Sequence, residues 1–262
     1  MNYIEGHDFF RIRRVRISVT DEERAIDTIK EVVHNKKKGY VCISTLRTVV
    51  IANKDDKYQE VMENSLMNTP DGTPLVWCGH WWGLKCVQRA CGPHIFPRLL
   101  NDTDPVLKHF FLGDTEDTLS KLKIKATTEF GANVVGTFSP PFKPLEEYDI
   151  EGIAKMINDS GATIVWTALR APKQDILDSM ITPYLNDGII MVGVGAAFRS
   201  LLGMLKQPDG FLQKLGLAGL AFKRPELSWW HQVKWYFKHT IFLAGYFFLI
   251  MWKRITGRKY YN

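Results

Sequence analysis

From His109 onward, short β-branched and aromatic runs alternate with helix-length segments, and this alternation restricts the fold more than any other feature of the chain. Phe110-Phe111-Leu112-Gly113 reads as a strand, 115–129 as a helix and Val134-Val135 as a strand. A helix at 149–159, the strand Thr163-Ile164-Val165-Trp166, a helix at 173–186 and the strand Ile189-Ile190-Met191-Val192-Gly193 follow, with a further helix starting near Ala196. Parallel strands need long crossovers, so strand–helix alternation predicts a parallel sheet with helices on both faces. The expected class is therefore α/β, a Rossmann-like sheet. The Pro-rich stretch 139–144 is the one extended surface segment expected here.

The first hundred residues fit the same class less regularly. Val15-Arg16-Ile17-Ser18-Val19 alternates like a strand, and Thr20 with Glu23 reads as a capping box opening a helix. Ala25, Ile26, Ile29, Val32 and Val33 give that helix one apolar face. Tyr40-Val41-Cys42-Ile43-Ser44 reads as a buried strand, followed by a polar helix over 55–67. In Thr69-Pro70-Asp71-Gly72-Thr73-Pro74, Thr73 and Pro74 are expected to cap and open a helix. Asp71 would lie in the turn before its positive end, exposed and favoured as a carboxylate.

Charge divides the chain at about 222. Residues 223–262 carry eight Lys/Arg against Glu226 alone, a net +7; with the whole chain at +6, residues 1–222 sum to −1. The tail also carries Trp229, Trp230, Trp235, Tyr236 and Phe237, then an uncharged run over 240–252. That run is shorter than the ~20 residues of a transmembrane helix. Aromatic residues flanked by cations suit a segment lying in the interface of an anionic membrane. A tilted or re-entrant span, a helix packed on the domain, and a homo-oligomer contact are the alternatives. The expected organisation is an α/β domain over 1–222 and a membrane-associating helical appendage over 223–262. A basic tail can also bind nucleic acid, but interleaved aromatics and cations favour lipid, so no nucleic-acid partner is expected.

Cys42, Cys78, Cys86 and Cys91 form no CxxC pair, and with His80 and His94 they match no metal-ligand spacing. Free thiols and no metal are expected. Residues 1–18 are polar and Arg-rich, which suggests a reducing cytoplasmic setting.

Ligands of open parallel sheets bind at the C-terminal ends of the strands. Three loops there carry candidate groups. One holds Thr45 and Arg47; a second reads Leu169-Arg170-Ala171-Pro172-Lys173-Gln174-Asp175, with Lys173 and Gln174 expected at the sheet edge. The third, Gly193-Val194-Gly195-Ala196-Ala197-Phe198, could set backbone N–H groups of Gly193 to Gly195 against a phosphate. Close strand–helix packing explains the same two glycines equally well, and Phe198 stands where a dinucleotide fingerprint needs its third glycine.

Together, Thr45-Leu46, Pro70-Asp71-Gly72, Arg89 to Gly92, Pro172-Lys173-Gln174-Asp175 and Gly193 to Phe198 resemble the WecG/TagA/CpsF glycosyltransferases over roughly residues 10–205. The resemblance implies transfer of a sugar, often N-acetylmannosamine, from a UDP donor to a polyprenyl-linked acceptor, with inversion and no cofactor or required metal. It implies Asp71 as general base, with Thr45, Arg89, Gln174 and Arg224 among the substrate-binding residues and Arg224 on the departing diphosphate. It also implies exopolysaccharide or cell-envelope synthesis at the inner face of the plasma membrane.

The sequence departs from the family pattern in several places. Arg47 replaces the usual Asn, Pro93-His94 the usual x-Asp, Asp175 a Glu and Arg199 an Asp. Arg47 or Arg199 could accordingly pair with a carboxylated sugar. A non-catalytic membrane scaffold is the competing reading. A nucleotide-binding oxidoreductase is disfavoured, because the fingerprint is incomplete and the tail unexplained.

Overall fold

The computed structural model describes residues 9–205 and 229–256. A short antiparallel hairpin, β1 (Phe9–Ile12) and β2 (Val15–Ser18), precedes α1 (Glu22–His34) and β3 (Gly39–Ser44). Then come α2 (Leu46–Ala52), α3 (Asp56–Asn64), β4 (Met67–Pro70), α4 (Thr73–Trp81) and α5 (Gly92–Leu100). The regular half follows: β5 (His109–Gly113), α6 (Glu116–Phe130), β6 (Val134–Phe138), α7 (Ile150–Ser160), β7 (Ile164–Ala168), α8 (Lys173–Ile181), β8 (Ile190–Gly193) and α9 (Ala197–Leu201). A last helix, α10, spans Trp229–Ile255.

β3 to β8 form one parallel sheet in the order β4-β3-β8-β7-β5-β6. Alternate side chains build the two faces. Val41, Ile43, Phe111, Trp166 and Val192 pack with α1, α5 and α6, while Tyr40, Cys42, Phe110, Leu112, Val165 and Met191 pack with α7 and α8. The α/β class expected from the alternation is the one observed.

Several local expectations shift. Asp21, not Thr20, caps α1: its carboxylate accepts the Arg24 N–H at 3.0 Å, while the Thr20 hydroxyl donates to the Asp21 carbonyl. Gly72, not Thr73, is the N-cap of α4, and it supplies no side-chain bond. α8 stops at Ile181 and tightens into a 3-10 turn over Thr182–Tyr184, because Pro183 has no N–H to continue an α-helix. The polar helix over 55–67 ends at Asn64, and Met67–Pro70 becomes an edge strand beside β3. Proline is tolerated at such an edge because no further strand asks for its N–H.

α10 is a single helix of 27 residues, so the uncharged run over 240–252 is part of a longer element. His239, Tyr246 and Ile250 are buried, and Phe242 and Leu243 pack into a third apolar cluster with the hairpin, Tyr58, Met62, Leu75 and Cys78. The Trp82 indole N–H donates to the Tyr246 hydroxyl at 2.5 Å, and that hydroxyl donates to the Arg11 carbonyl. The Arg13 guanidinium lies 4.6 Å from the Phe242 ring centroid. One side of the tail helix therefore packs on the α/β body. No described helix is long and apolar enough to cross a membrane.

Candidate active site

The parallel sheet brings the C-terminal ends of β3, β4, β7 and β8 to one edge, and the candidate residues meet there. Thr45 follows β3 and caps α2. Its hydroxyl oxygen accepts the Thr48 N–H at 3.4 Å, and its own N–H donates to the Thr48 hydroxyl at 2.9 Å. Such a hydroxyl keeps its proton available as a donor.

Asp71 follows β4 next door. Its backbone N–H donates to the Ser44 carbonyl at 2.9 Å, extending the sheet pairing by one bond. Arg89 grips it twice: Nε donates to the Asp71 carbonyl at 2.6 Å and Nη2 stands 3.4 Å from Oδ1. The carboxylate is 25% exposed, less open than the turn had suggested. Burial pushes its pKa above the ordinary aspartate value, against the pull of Arg89 and His94. The expected helix-end stabilisation of the charged form is thus outweighed by desolvation. The result is a carboxylate more basic than a free aspartate and still paired to a cation, the condition wanted of a base acting on a hydroxyl. Arg89 serves this carboxylate at close range.

The other expected positions need correction. Gln174 is only 2% exposed and turns inward instead of lying open at the sheet edge. A Cβ on Gly193 would fall 2.7 Å from Gln174 Nε2 and 3.0 Å from Asp175 Oδ1, so glycine there is required by close approach. Gly195, at φ +55, faces Gln174 Oε1. The N–H groups of Val194 and Gly195 both donate to the Thr167 carbonyl, at 2.9 and 3.2 Å. These two N–H groups are spent on the fold, and both glycines stand where α8 packs closely against the end of β8. Lys173 is held by the Lys143 carbonyl at 2.6 Å, with its ammonium 4.8 Å from the Tyr148 ring centroid.

Neither arginine suggested for a carboxylated sugar stands uncommitted. Arg47 Nη1 donates to the Ala171 carbonyl at 3.0 Å. Arg199 grips Asp114 through two bonds, Nε to Oδ2 at 2.8 Å and Nη2 to Oδ1 at 2.9 Å. Arg224 lies outside the described residues. Among the described residues, no group of three or more His, Cys, Asp or Glu could hold a metal ion. His80 is bonded to the Val87 carbonyl and His94 to Glu22, and the four cysteines are free thiols.

Sequence reasoning missed a buried polar layer beneath this edge. The Tyr58 hydroxyl donates to Asp175 Oδ2 at 2.5 Å, and Thr167 Oγ1 to Asp178 Oδ1 at 2.7 Å. Burial pushes Asp175 up to about 7, against the bonds from Tyr58 and Gln174, and holds Asp178 well above the carboxylate range. The spacing of Asp175 and Asp178, one helical turn apart on a helix facing apolar strands, was the available signal.

The family model describing the WecG/TagA/CpsF glycosyl transferases matches residues 10–254, nearly the whole chain. The chain belongs to that family. The match runs past the α/β body through almost all of α10, so the tail helix lies within the WecG/TagA/CpsF unit. Membership supports a glycosyltransferase role for the chain.

Proposed function

We propose that this WecG/TagA/CpsF protein is an inverting transferase that moves a sugar from a UDP donor to a polyprenyl-linked acceptor in cell-envelope or exopolysaccharide synthesis. N-acetylmannosamine, another hexose and a uronic acid are the candidate sugars. The observation that carries the reading is Asp71, a carboxylate set at the strand ends, made more basic by burial and steered by Arg89. Asp71 takes the proton of the acceptor hydroxyl as that oxygen attacks the anomeric carbon. The bond to the diphosphate breaks, and UDP leaves with the electron pair. Thr45, just past the end of the neighbouring strand β3, donates to a sugar oxygen in this reading. Arg224 is the proposed partner of the leaving diphosphate.

The surface of α10 supports work at a membrane. Trp230, Phe237, Ile241, Phe248, Trp252 and Ile255 are exposed along the helix, with exposed Lys234 among them. An apolar stripe of this size needs a partner, and the +7 charge of residues 223–262 makes an anionic lipid surface the fitting one. The protein would then sit peripherally at the cytoplasmic face, where a polyprenyl-linked acceptor presents its sugar.

The test is UDP release from UDP-N-acetylmannosamine, UDP-N-acetylglucosamine, UDP-glucose and UDP-glucuronate, with a polyprenyl-pyrophosphate-linked sugar as acceptor. Release with one donor, lost in Asp71→Asn, establishes the reaction and the base. Folded protein that releases UDP from none of them, with the acceptor confirmed present, points instead to a non-catalytic scaffold.

A further inference from the structure

The candidate residues gathered at this edge sit on two halves of the sheet. One half is β3, α2, α3 and β4, carrying Thr45 and Asp71; the other is β7, α8 and β8, carrying Gln174 and Gly193. The backbone joins them where β3 pairs with β8, and the last matched residues are Cys42 and Gly193. Beyond that level the strands part. β3 runs on beside β4 to Ser44 and Pro70, while the chain after β8 turns into α9, which packs with α5 and α6. Thr45 and Asp71 therefore stand above the last backbone tie between the halves.

α8 packs on β3 and α3 here, and side-chain bonds also link the halves above or beside that tie. Tyr58 of α3 donates to Asp175 Oδ2 of α8 at 2.5 Å. Arg47 of α2 donates to the Ala171 carbonyl, just ahead of α8, at 3.0 Å. Each starts on a helix of the Thr45–Asp71 half and ends on the segment that carries Gln174. The buried link continues inward: Asp175 Oδ1 and Gln174 Nε2 both stand at the Gly193 backbone, so close that a Cβ there would collide with them. A displacement of α8 at Asp175 would be transmitted to Gln174 and the Gly193 loop, because close-packed atoms have no slack.

We infer that the Tyr58–Asp175 and Arg47–Ala171 bonds form a brace that sets the spacing between the half carrying the base and the half carrying Gln174 and the Gly193 loop, which makes Tyr58, Asp175 and Arg47 positioning residues for transfer. The inference rests on the transferase reading above. Group transfer needs the attacking oxygen within a narrow distance of the anomeric carbon, so a brace between the halves acts on turnover more than on donor affinity. The surroundings of Asp175 also give the brace a pH dependence. Tyr58 on α3, Cys42 and Tyr40 on β3 and Asp178 on α8 are the titratable groups that face it. Burial keeps the Tyr58 hydroxyl and the Cys42 thiol protonated through neutral pH and raises Asp178 above the ordinary aspartate value. Asp175 is the group that changes charge near 7, and its bond from Tyr58 is stronger when it is a carboxylate.

The experiment compares the full-length wild type with Tyr58→Phe, Arg47→Met, Asp175→Asn and Asp175→Glu. Calorimetry with UDP reports the donor side, and UDP release with the donor found for the wild type reports turnover. Tyr58→Phe and Arg47→Met are expected to lower kcat by about tenfold to a hundredfold with UDP affinity nearly unchanged. Wild-type kcat should fall as pH drops through about 7; Asp175→Asn should lose that limb, and Asp175→Glu should keep it. Full turnover in both Tyr58→Phe and Arg47→Met, UDP affinity falling in step with turnover, or an unchanged acid limb in Asp175→Asn would each overturn the brace. Wild-type protein that neither binds nor releases UDP would instead remove the transferase reading, and the inference with it.

Discussion

Asp71 shows how far one residue's chemistry follows from its neighbours. The sequence placed it before a helix, yet the decisive partner, Arg89, lies eighteen positions along the chain, and the competing effect is burial. A base works only when deprotonated, so a raised pKa moves the acid limb of turnover above the ordinary aspartate range. Replacing Arg89 by Met removes the cation but not the burial. That limb should then shift to higher pH, read from kcat/KM profiles of the two proteins. Asp71→Asn should cut turnover by about 10²- to 10⁴-fold, the usual contribution of a positioned base. Gly193→Ala makes a different prediction, because its Cβ would sit 2.7 Å from the Gln174 amide. Overpacking of this kind costs about 1–3 kcal/mol, visible as a lowered midpoint in thermal unfolding. Asp71, Gln174 and Gly193 could be singled out from the sequence as candidates, and the structure sets them at or just beyond the ends of nearby strands. Their orientation was not legible there: the inward turn of Gln174 and the commitment of the Val194 and Gly195 N–H groups to Thr167 depend on how α8 lies against β8.

Helices α8 and α10 illustrate the element scale. α8 carries Gln174, Asp175 and Asp178, all buried, in a layer otherwise made of β-strand and apolar side chains. The folded-state pKa of Asp175, about 7, lies above its unfolded value. The stability it contributes is thus complete below the unfolded pKa and is lost as pH rises to about 7. The full loss is on the order of 4 kcal/mol. Urea unfolding at several pH values between these limits should show the decline, and Asp175→Asn should flatten it. α10 was read first as a membrane-associating appendage, with a helix packed on the domain as an alternative, and one side of it does pack on the body. Its Tyr246 ties the Trp82 indole to the Arg11 carbonyl, joining the tail, α4 and the N-terminal hairpin. Tyr246→Phe leaves the indole N–H without this acceptor and should cost about 1–3 kcal/mol in urea unfolding. Strand β4 escaped sequence reading for a related reason: Met67-Asn68-Thr69-Pro70 has little strand character of its own and is ordered by pairing with β3.

For the whole molecule, the arrangement of α10 changes how membrane attachment should be tested. Removing the tail would expose the cluster around Tyr246 and Ile250, so the informative variants leave that side intact and alter the opposite one. Phe248→Ser with Trp252→Ser in the full chain should abolish flotation with anionic vesicles, and raised salt should weaken flotation of the unaltered protein. Unchanged flotation would remove the stripe from the membrane reading. The sequence by itself determined the α/β class, the order of most elements, the identity of the family and the short set of residues around which a site could form. Those properties come from local periodicity, turn chemistry and residue identity at fixed spacing, which survive without knowledge of what lies across the sheet. Only the tertiary structure decided which side chains face the site and which the core, that Arg89 belongs to Asp71 and Arg199 to Asp114, and that Tyr58 meets Asp175. These depend on long-range contact, since desolvation and ion pairing act through space between residues far apart in the chain, 117 positions for Tyr58 and Asp175.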